Sequence, residues 1–238
     1  MSSSGDPSQV EESLAQRIAQ VRASVARASE AARRSPDEIT IVAVSKTFPR
    51  SFVDAAYDAG LRVFGESRVQ ETRDKYEMPL PEDASLRLIG QLQTNKARQA
   101  VALFSCIESV DRLSLIDALD RAAATNAERI VPVLVQVNVS REQQKSGCTP
   151  EDTAELIRRI QTSENLRCDG LMTIAPLVAD AADARPAFAG LRELGENLQQ
   201  RFSIALPVLS MGMSNDFEVA IAEGATHIRL GRAIFGSR

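Results

Sequence analysis

Of the 28 basic residues in this chain only four are lysines, Lys46, Lys75, Lys96 and Lys145, and the rest are arginines. Lys46 closes the run Ile-Thr-Ile-Val-Ala-Val-Ser-Lys over residues 39–46, an apolar, β-branched stretch patterned as a buried strand. A guanidinium does most charge work but does not condense with a carbonyl at ordinary pH, whereas a primary amine does. A lysine at the end of a core strand, in a chain that otherwise uses arginine, therefore points to amine chemistry. The competing reading is a solvated charge at the rim of the fold. Two further segments have anion-binding composition. Leu209-Ser210-Met211-Gly212-Met213-Ser214 offers the Ser210 hydroxyl, the Gly212 and Met213 backbone, and a following helix start whose amides favour a negative charge. Arg229-Leu230-Gly231-Arg232-Ala233-Ile234-Phe235-Gly236 offers backbone approach at Gly231 and two guanidiniums. Either segment alone reads as an ordinary strand-to-helix turn. Ser214 reads as a helix N-cap, and Asp216 and Glu218 suit a helix dipole without any ligand.

The totals exclude several classes of function. A net charge of -4 argues against a nucleic-acid surface. No apolar run approaches the ~20 residues of a membrane span, and the start Met-Ser-Ser-Ser-Gly-Asp-Pro-Ser lacks the basic and apolar regions of a signal peptide. Cys106, Cys148 and Cys168 are odd in number and widely spaced, so neither a disulfide framework nor a zinc site is suggested, and cytoplasmic residence follows. His227 is the only histidine, which weakens Ser-His-Asp, Cys-His and His-metal chemistry together.

The elements that must position these residues alternate along the chain. Helical periodicity over 8–34 (Val10, Leu14, Ile18, Val21, Val25) ends at Ser35-Pro36-Asp37. Strand patterns follow at 39–45, 62–65, 86–90, 106–109, 133–138, 166–171, 208–211 and 227–230. Helical segments lie near 50–60, 67–76, 94–104, 112–127, 151–163, 183–203 and 215–223. Each helical crossover returns the chain to the same end, so the sheet is parallel. Eight such units predict one (β/α)8 TIM barrel over residues 8–238, with an extra N-terminal helix and a short disordered tail over 1–7. Active sites of such barrels lie at the C-terminal strand ends, and the loops after strands seven and eight often hold phosphate. Lys46 and both glycine segments fall at those ends.

An amine facing a phosphate site suits pyridoxal 5'-phosphate, whose aldehyde meets the lysine and whose phosphate meets the loops. Arg229 would then face the ring. A guanidinium cannot surrender its proton, so a pyridine nitrogen beside it stays unprotonated and the ring is a poorer electron sink. The alternative for Arg229 is a structural ion pair at the rim.

In this the chain resembles the pyridoxal phosphate homeostasis protein family, single-domain relatives of the alanine racemase barrel. The resemblance lies in Ala43-Val44-Ser45-Lys46-Thr47, Phe64-Gly65-Glu66 with Val69-Gln70-Glu71, and Ile89-Gly90-Gln91-Leu92-Gln93 with Asn95-Lys96. It continues through Gln136-Val137-Asn138-Val139 with Lys145-Ser146-Gly147, Gly170-Leu171-Met172, the 209–214 segment and Arg229-x-Gly231-x-x-Ile234-Phe235-Gly236. It implies an alanine racemase-like barrel and an internal aldimine on Lys46. It also implies that Ser210 and the backbone near Gly231 hold phosphate and that Arg229 meets the ring nitrogen. Departures are Ser67 where Asn is usual, Leu86-Arg87 for an aromatic-His pair, Gln91 for His, and Arg232 for a small hydroxyl residue. Arg232 puts one phosphate hydroxyl in doubt and offers a guanidinium to the same anion instead.

Racemases of this barrel type add a second domain and a tyrosine base from a partner subunit. Here Tyr57 and Tyr76 fall in helical segments and read as packing or surface residues, and Cys106 reads as a small hydrophobe on a strand. Two-base proton transfer needs a group on each face, and only Lys46 is evident. The expectation is a monomeric carrier that holds the cofactor and passes it to pyridoxal phosphate-dependent apo-enzymes. The rivals are a racemase or lyase on the same cofactor and a Schiff-base aldolase on a sugar phosphate. Lys96 and Lys145 read as rim charges first, and as transfer relays only by their position.

Overall fold

The structure, a computed structural model, describes residues 7–125 and 129–236. The expected tail thus lies, Pro7 apart, outside the described residues. Eight parallel strands close a barrel in sequence order: β1 (Thr40–Val44), β2 (Val63–Glu66), β3 (Ser85–Leu88), β4 (Cys106–Val110), β5 (Val131–Gln136), β6 (Leu166–Met172), β7 (Val208–Ser210) and β8 (His227–Leu230). Closure is made by β1 against β8, with Val42 opposite Arg229 and Ala43 opposite Leu230. β4 and β5 are buried on both faces, which is why β5, Val-Pro-Val-Leu-Val-Gln, reads as a nearly continuous apolar run.

Helices cover the outside: α1 (Pro7–Ala31), α2 (Arg50–Asp58), α3 (Val69–Lys75), α4 (Ala97–Leu103), α5 (Leu113–Ala124), α6 (Thr153–Gln161), α7 (Arg185–Phe202), α8 (Phe217–Ala222) and α9 (Arg232–Phe235). The long α1 does not close the bottom of the barrel. It lies along the side, against α2, α8 and α9. Leu14, Ile18, Val21 and Val25 face inward at the spacing of one helix face. Arg17 donates to the Ile234 carbonyl at 2.7 Å, and Arg34 to the Ala225 carbonyl at 2.7 Å. α9 has only four residues, so α1 takes the outer-layer place of a longer helix after β8.

Several expected boundaries move. α1 ends at Ala31 rather than 34: Arg33 takes a left-handed φ of 57°, and Ser35 to Glu38 form a capping box around a 3-10 turn. The expected helix over 94–104 divides into a 3-10 turn, Thr94–Lys96, and α4. β3 stops at Leu88, two residues early, and β5 begins at Val131, two residues early. The last residues expected for α5 lie outside the described residues.

The barrel interior is layered. Cys106, Leu134, Met172 and Val208 form a small apolar cluster separate from the main core between strands and helices. A polar layer of Arg87, Glu108, Ser210 and Arg229 shares the interior.

Candidate functional site

Strand parity sets which side chains reach the mouth. Val42 pairs with Arg229 and shares its interior face, so Val44 lies on that face as well, and Ala43 and Ser45 turn toward the helices. Lys46 leaves β1 at its C-terminal end and is exposed. Gly231, just after β8, neighbours Val44 across the closure: a Cβ on Gly231 would lie 3.4 Å from the Val44 carbonyl oxygen, two residues before Lys46. Phe48 and Phe235 stack at 5.2 Å between ring centroids and pin the segment after Lys46 to α9.

The two glycine segments converge. The Arg229 amide donates to the Gly212 carbonyl at 2.9 Å. The Ala233 amide donates to the Ser214 hydroxyl at 3.3 Å, and Arg232 donates to Asn215 Oδ1 at 3.3 Å. Gly212 has a φ of 92°, and a Cβ there would lie 2.6 Å from Ala220 Cβ, so the close turn requires glycine. Met213 is partly exposed, and its amide donates to Asp216 Oδ1 at 2.6 Å. Ser214 is not the N-cap of α8, contrary to expectation. Asp216 holds that position, because the chain makes a further turn before the helix begins. Burial raises the Asp216 carboxyl, the Met213 amide and Arg229 opposing. The amides of Ser214, Asn215 and Gly231 donate to no protein acceptor among the described residues.

Arg229 and Ser210 are both buried, and the structure joins them. Arg229 donates to Ser210 Oγ at 2.8 Å and to the Thr173 carbonyl at 2.7 Å. Ser210 Oγ donates to Glu108 Oε2 at 2.6 Å, and Arg87 donates to Glu108 Oε1 at 2.9 Å. Burial alone would raise the Glu108 carboxyl, but Arg87 and Arg229 outweigh it and hold it below the ordinary carboxylate range. Burial pulls the Arg229 guanidinium down, with Glu108 opposing. The alternative for Arg229, an ion pair at the rim, takes the form of a buried link to Glu108 made through a serine.

A second cluster lies on the outer side of β1. Ser45 Oγ donates to Glu66 Oε1 at 2.7 Å, and Lys75 Nζ donates to Glu66 Oε1 at 2.8 Å and to the Ser45 carbonyl at 2.9 Å. Tyr76 is buried with its hydroxyl 3.3 Å from both Ser45 Oγ and Glu66 Oε1. Burial raises that phenol. Burial pulls the Lys75 ammonium down, with Glu66 opposing.

Other candidates fall as follows. Tyr57 gives its hydroxyl proton to Asp83 at 2.6 Å, and burial pushes the Cys106 thiol up to about 12. Lys96 ends a 3-10 turn at the rim, and Lys145 pairs with Glu142 at 2.6 Å. The Glu108 and Glu66 networks were missed from the sequence. For Glu108 a signal was available: it is the one charged residue within the buried strand Cys-Ile-Glu-Ser-Val. Among the described residues no group of three or more His, Cys, Asp or Glu could hold a metal ion, and no helix is long and apolar enough to cross a membrane.

The alanine racemase, N-terminal domain family model matches residues 17–238. The pyridoxal phosphate homeostasis protein of Aquifex aeolicus (strain VF5) is 41% identical over 223 residues, covering 94% of this chain and 97% of that protein. Its counterpart from Pseudomonas aeruginosa is 42% identical over 225 residues, covering 94% of this chain and 96% of that one. The solved structure of PipY from Synechococcus elongatus PCC7942 with PLP bound is 38% identical and superposes with a TM-score of 0.82, covering 94% of this chain and 100% of that one. The chain belongs to the alanine racemase N-terminal domain family and, within it, to the pyridoxal phosphate homeostasis proteins.

Proposed function

We propose that this protein binds pyridoxal 5'-phosphate through Lys46, holds it reversibly as a store, and passes it to apo-enzymes as a monomer. The observation that carries the reading is the exposed Lys46 beside the convergent loops after β7 and β8, with Arg229 fixed in the barrel behind them. The donor set fits the group: a primary amine for the aldehyde, a guanidinium for the ring nitrogen, and unpaired loop amides for the phosphate. When bound, the cofactor supplies an electrophilic carbonyl and a conjugated ring. Lys46 supplies the nucleophilic amine, and Arg229, a donor that does not give up its proton, keeps the ring nitrogen unprotonated.

The phosphate assignment changes from the sequence expectation. A hydroxyl has one proton to give, and that of Ser210 goes to Glu108. We assign the phosphate to Ser214, the loop amides and the backbone at Gly231, with Arg232 at the edge in place of a small hydroxyl. The carrier reading over a racemase is supported by the groups that do not offer a second base. The Tyr57 hydroxyl is committed to Asp83, Tyr76 is buried on the helix side of β1, and the Cys106 thiol is pushed up by burial.

The test is an absorption spectrum of purified protein with added pyridoxal 5'-phosphate, before and after borohydride, beside Lys46→Ala. The expected result is a near-visible band that reduction fixes and the variant lacks. A wild type without the band overturns the reading and leaves a sugar-phosphate aldolase to be tested. Rapid turnover of an amino acid by the loaded protein would make it a racemase or lyase instead. Sedimentation checks the monomer.

A further inference from the structure

The backbone that presents Lys46 is strained. Phe48 N donates to the Ser45 carbonyl at 3.0 Å, closing a four-residue turn with Lys46 and Thr47 at its centre. Thr47 has a φ of 70°, whereas Lys46 is not among the residues with positive φ. That combination is a type II turn, which favours glycine at its third position. A β-branched threonine is among the residues least suited to it. Such a conformation persists only where the surroundings over-determine it.

We infer that Glu66 and Lys75 are positioning residues for Lys46: they clamp Ser45, the first residue of this turn, and so hold the Lys46 amine in its presenting conformation. The inference rests on the reading of Lys46 as the cofactor amine. Ser45 is gripped at two atoms. Glu66 Oε1 takes the proton of its hydroxyl, and Lys75 Nζ donates to its carbonyl, the same oxygen that closes the turn. That carbonyl belongs to the peptide bond whose nitrogen is that of Lys46. The two clamping side chains pair with each other at 2.8 Å and are 12% and 2% exposed for Lys75 and Glu66. They come from different elements, Glu66 from the end of β2 and Lys75 from the last residue of α3. An ion pair that only docked α3 on the barrel would need no bond to a main-chain oxygen of the turn. Because Lys75 lies on the helix side of β1, it restrains the turn from behind without entering the mouth.

The experiment uses the full chain as Lys75→Met and as the double variant Glu66→Gln/Lys75→Met, which leaves no unpaired buried charge if the single variant fails to fold. Each is made with and without Thr47→Gly. Two readouts are followed: hydrogen exchange at the Phe48 amide in cofactor-free protein, and the rate at which pyridoxal 5'-phosphate plus borohydride labels Lys46. Losing the clamp is expected to speed Phe48 exchange about tenfold and to slow Lys46 labelling. Thr47→Gly is expected to restore both, because glycine takes a positive φ without strain, and a docking role alone would not respond to residue 47. Folded variants with wild-type exchange and labelling overturn the inference, as does a loss that Thr47→Gly leaves unchanged. A wild type that takes no label at Lys46 overturns the cofactor reading instead, and Phe48 exchange then still decides whether the clamp exists.

Discussion

Ser210 and Glu108 lie 102 positions apart in the chain, yet the serine hydroxyl donates to the carboxylate across 2.6 Å inside the barrel. The same oxygen accepts from Arg229 at 2.8 Å, so one small side chain ties the arginine of β8 to the carboxylate of β4. Ser210→Ala is expected to cost about 1–3 kcal/mol in urea unfolding, because it leaves buried partners short of a bond. It is expected to disturb the spectrum of the bound cofactor more than the phosphate affinity. Ser214→Ala should do the reverse, weakening pyridoxal 5'-phosphate while leaving phosphate-free pyridoxal unchanged. Titration of both ligands into both variants checks the pair.

Glu108 carries one negative charge between two guanidiniums, Arg87 beside it and the buried Arg229 beyond Ser210. Glu108→Ala removes the carboxylate paired with Arg87 and nearest to Arg229 and should destabilise the fold by about 3–5 kcal/mol, read from the denaturant midpoint. Replacing the pair together, Arg87→Met with Glu108→Met, should cost much less, since a buried pair of ions is worth little against apolar side chains of similar volume. A double variant as unstable as Glu108→Ala would show that Glu108 acts mainly on Arg229.

Gly212 combines a φ of 92° with a Cβ position 2.6 Å from Ala220 Cβ. Gly212→Ala is expected to lower stability by about 1–3 kcal/mol from the backbone alone, with a further loss from the contact. Because α8 and β8 pack on this turn, cofactor affinity should fall with it. Gly231→Ala, where a Cβ meets only ordinary contacts, should be milder in thermal unfolding.

His227 supplies a pH dependence whose sign is definite. Burial lowers its pKa to about 4, Arg87 adding to the effect. Between the unfolded value near 6.5 and that lowered value, the unfolded chain binds a proton that the native chain does not. Stability from the neutral imidazole is therefore complete above pH ~6.5 and is lost as pH falls toward ~4, by at most on the order of 3 kcal/mol. His227→Gln should flatten that part of the stability profile. An unchanged acid limb would assign it to carboxylates instead.

How much could be read before the fold was known varies by residue. The eight strands and their crossovers were legible, because a parallel barrel buries both strand faces and leaves runs such as 39–45 and 133–138 mostly apolar, with polar residues toward their C-terminal ends. Their ends moved by one or two residues, as at β3 and β5, since strand termini depend on pairing partners that periodicity does not record. The place of Lys46 at the end of such a run was legible. Glycine at 212 and 231 marked two turns that the fold brings together.

What the chain alone determined was the architecture and the places of Lys46 and the two glycine turns at C-terminal strand ends, because these follow from local pattern. Only the tertiary structure decided where the Ser210 proton goes, that Ser214 rather than Ser210 faces the β8 loop, and that Tyr76, Lys75 and Glu66 meet behind Ser45. The reason is physical. A hydroxyl or a carboxylate takes its role from the partner within about 3 Å, and in a closed barrel that partner comes from another strand. No spacing along the chain encodes that distance.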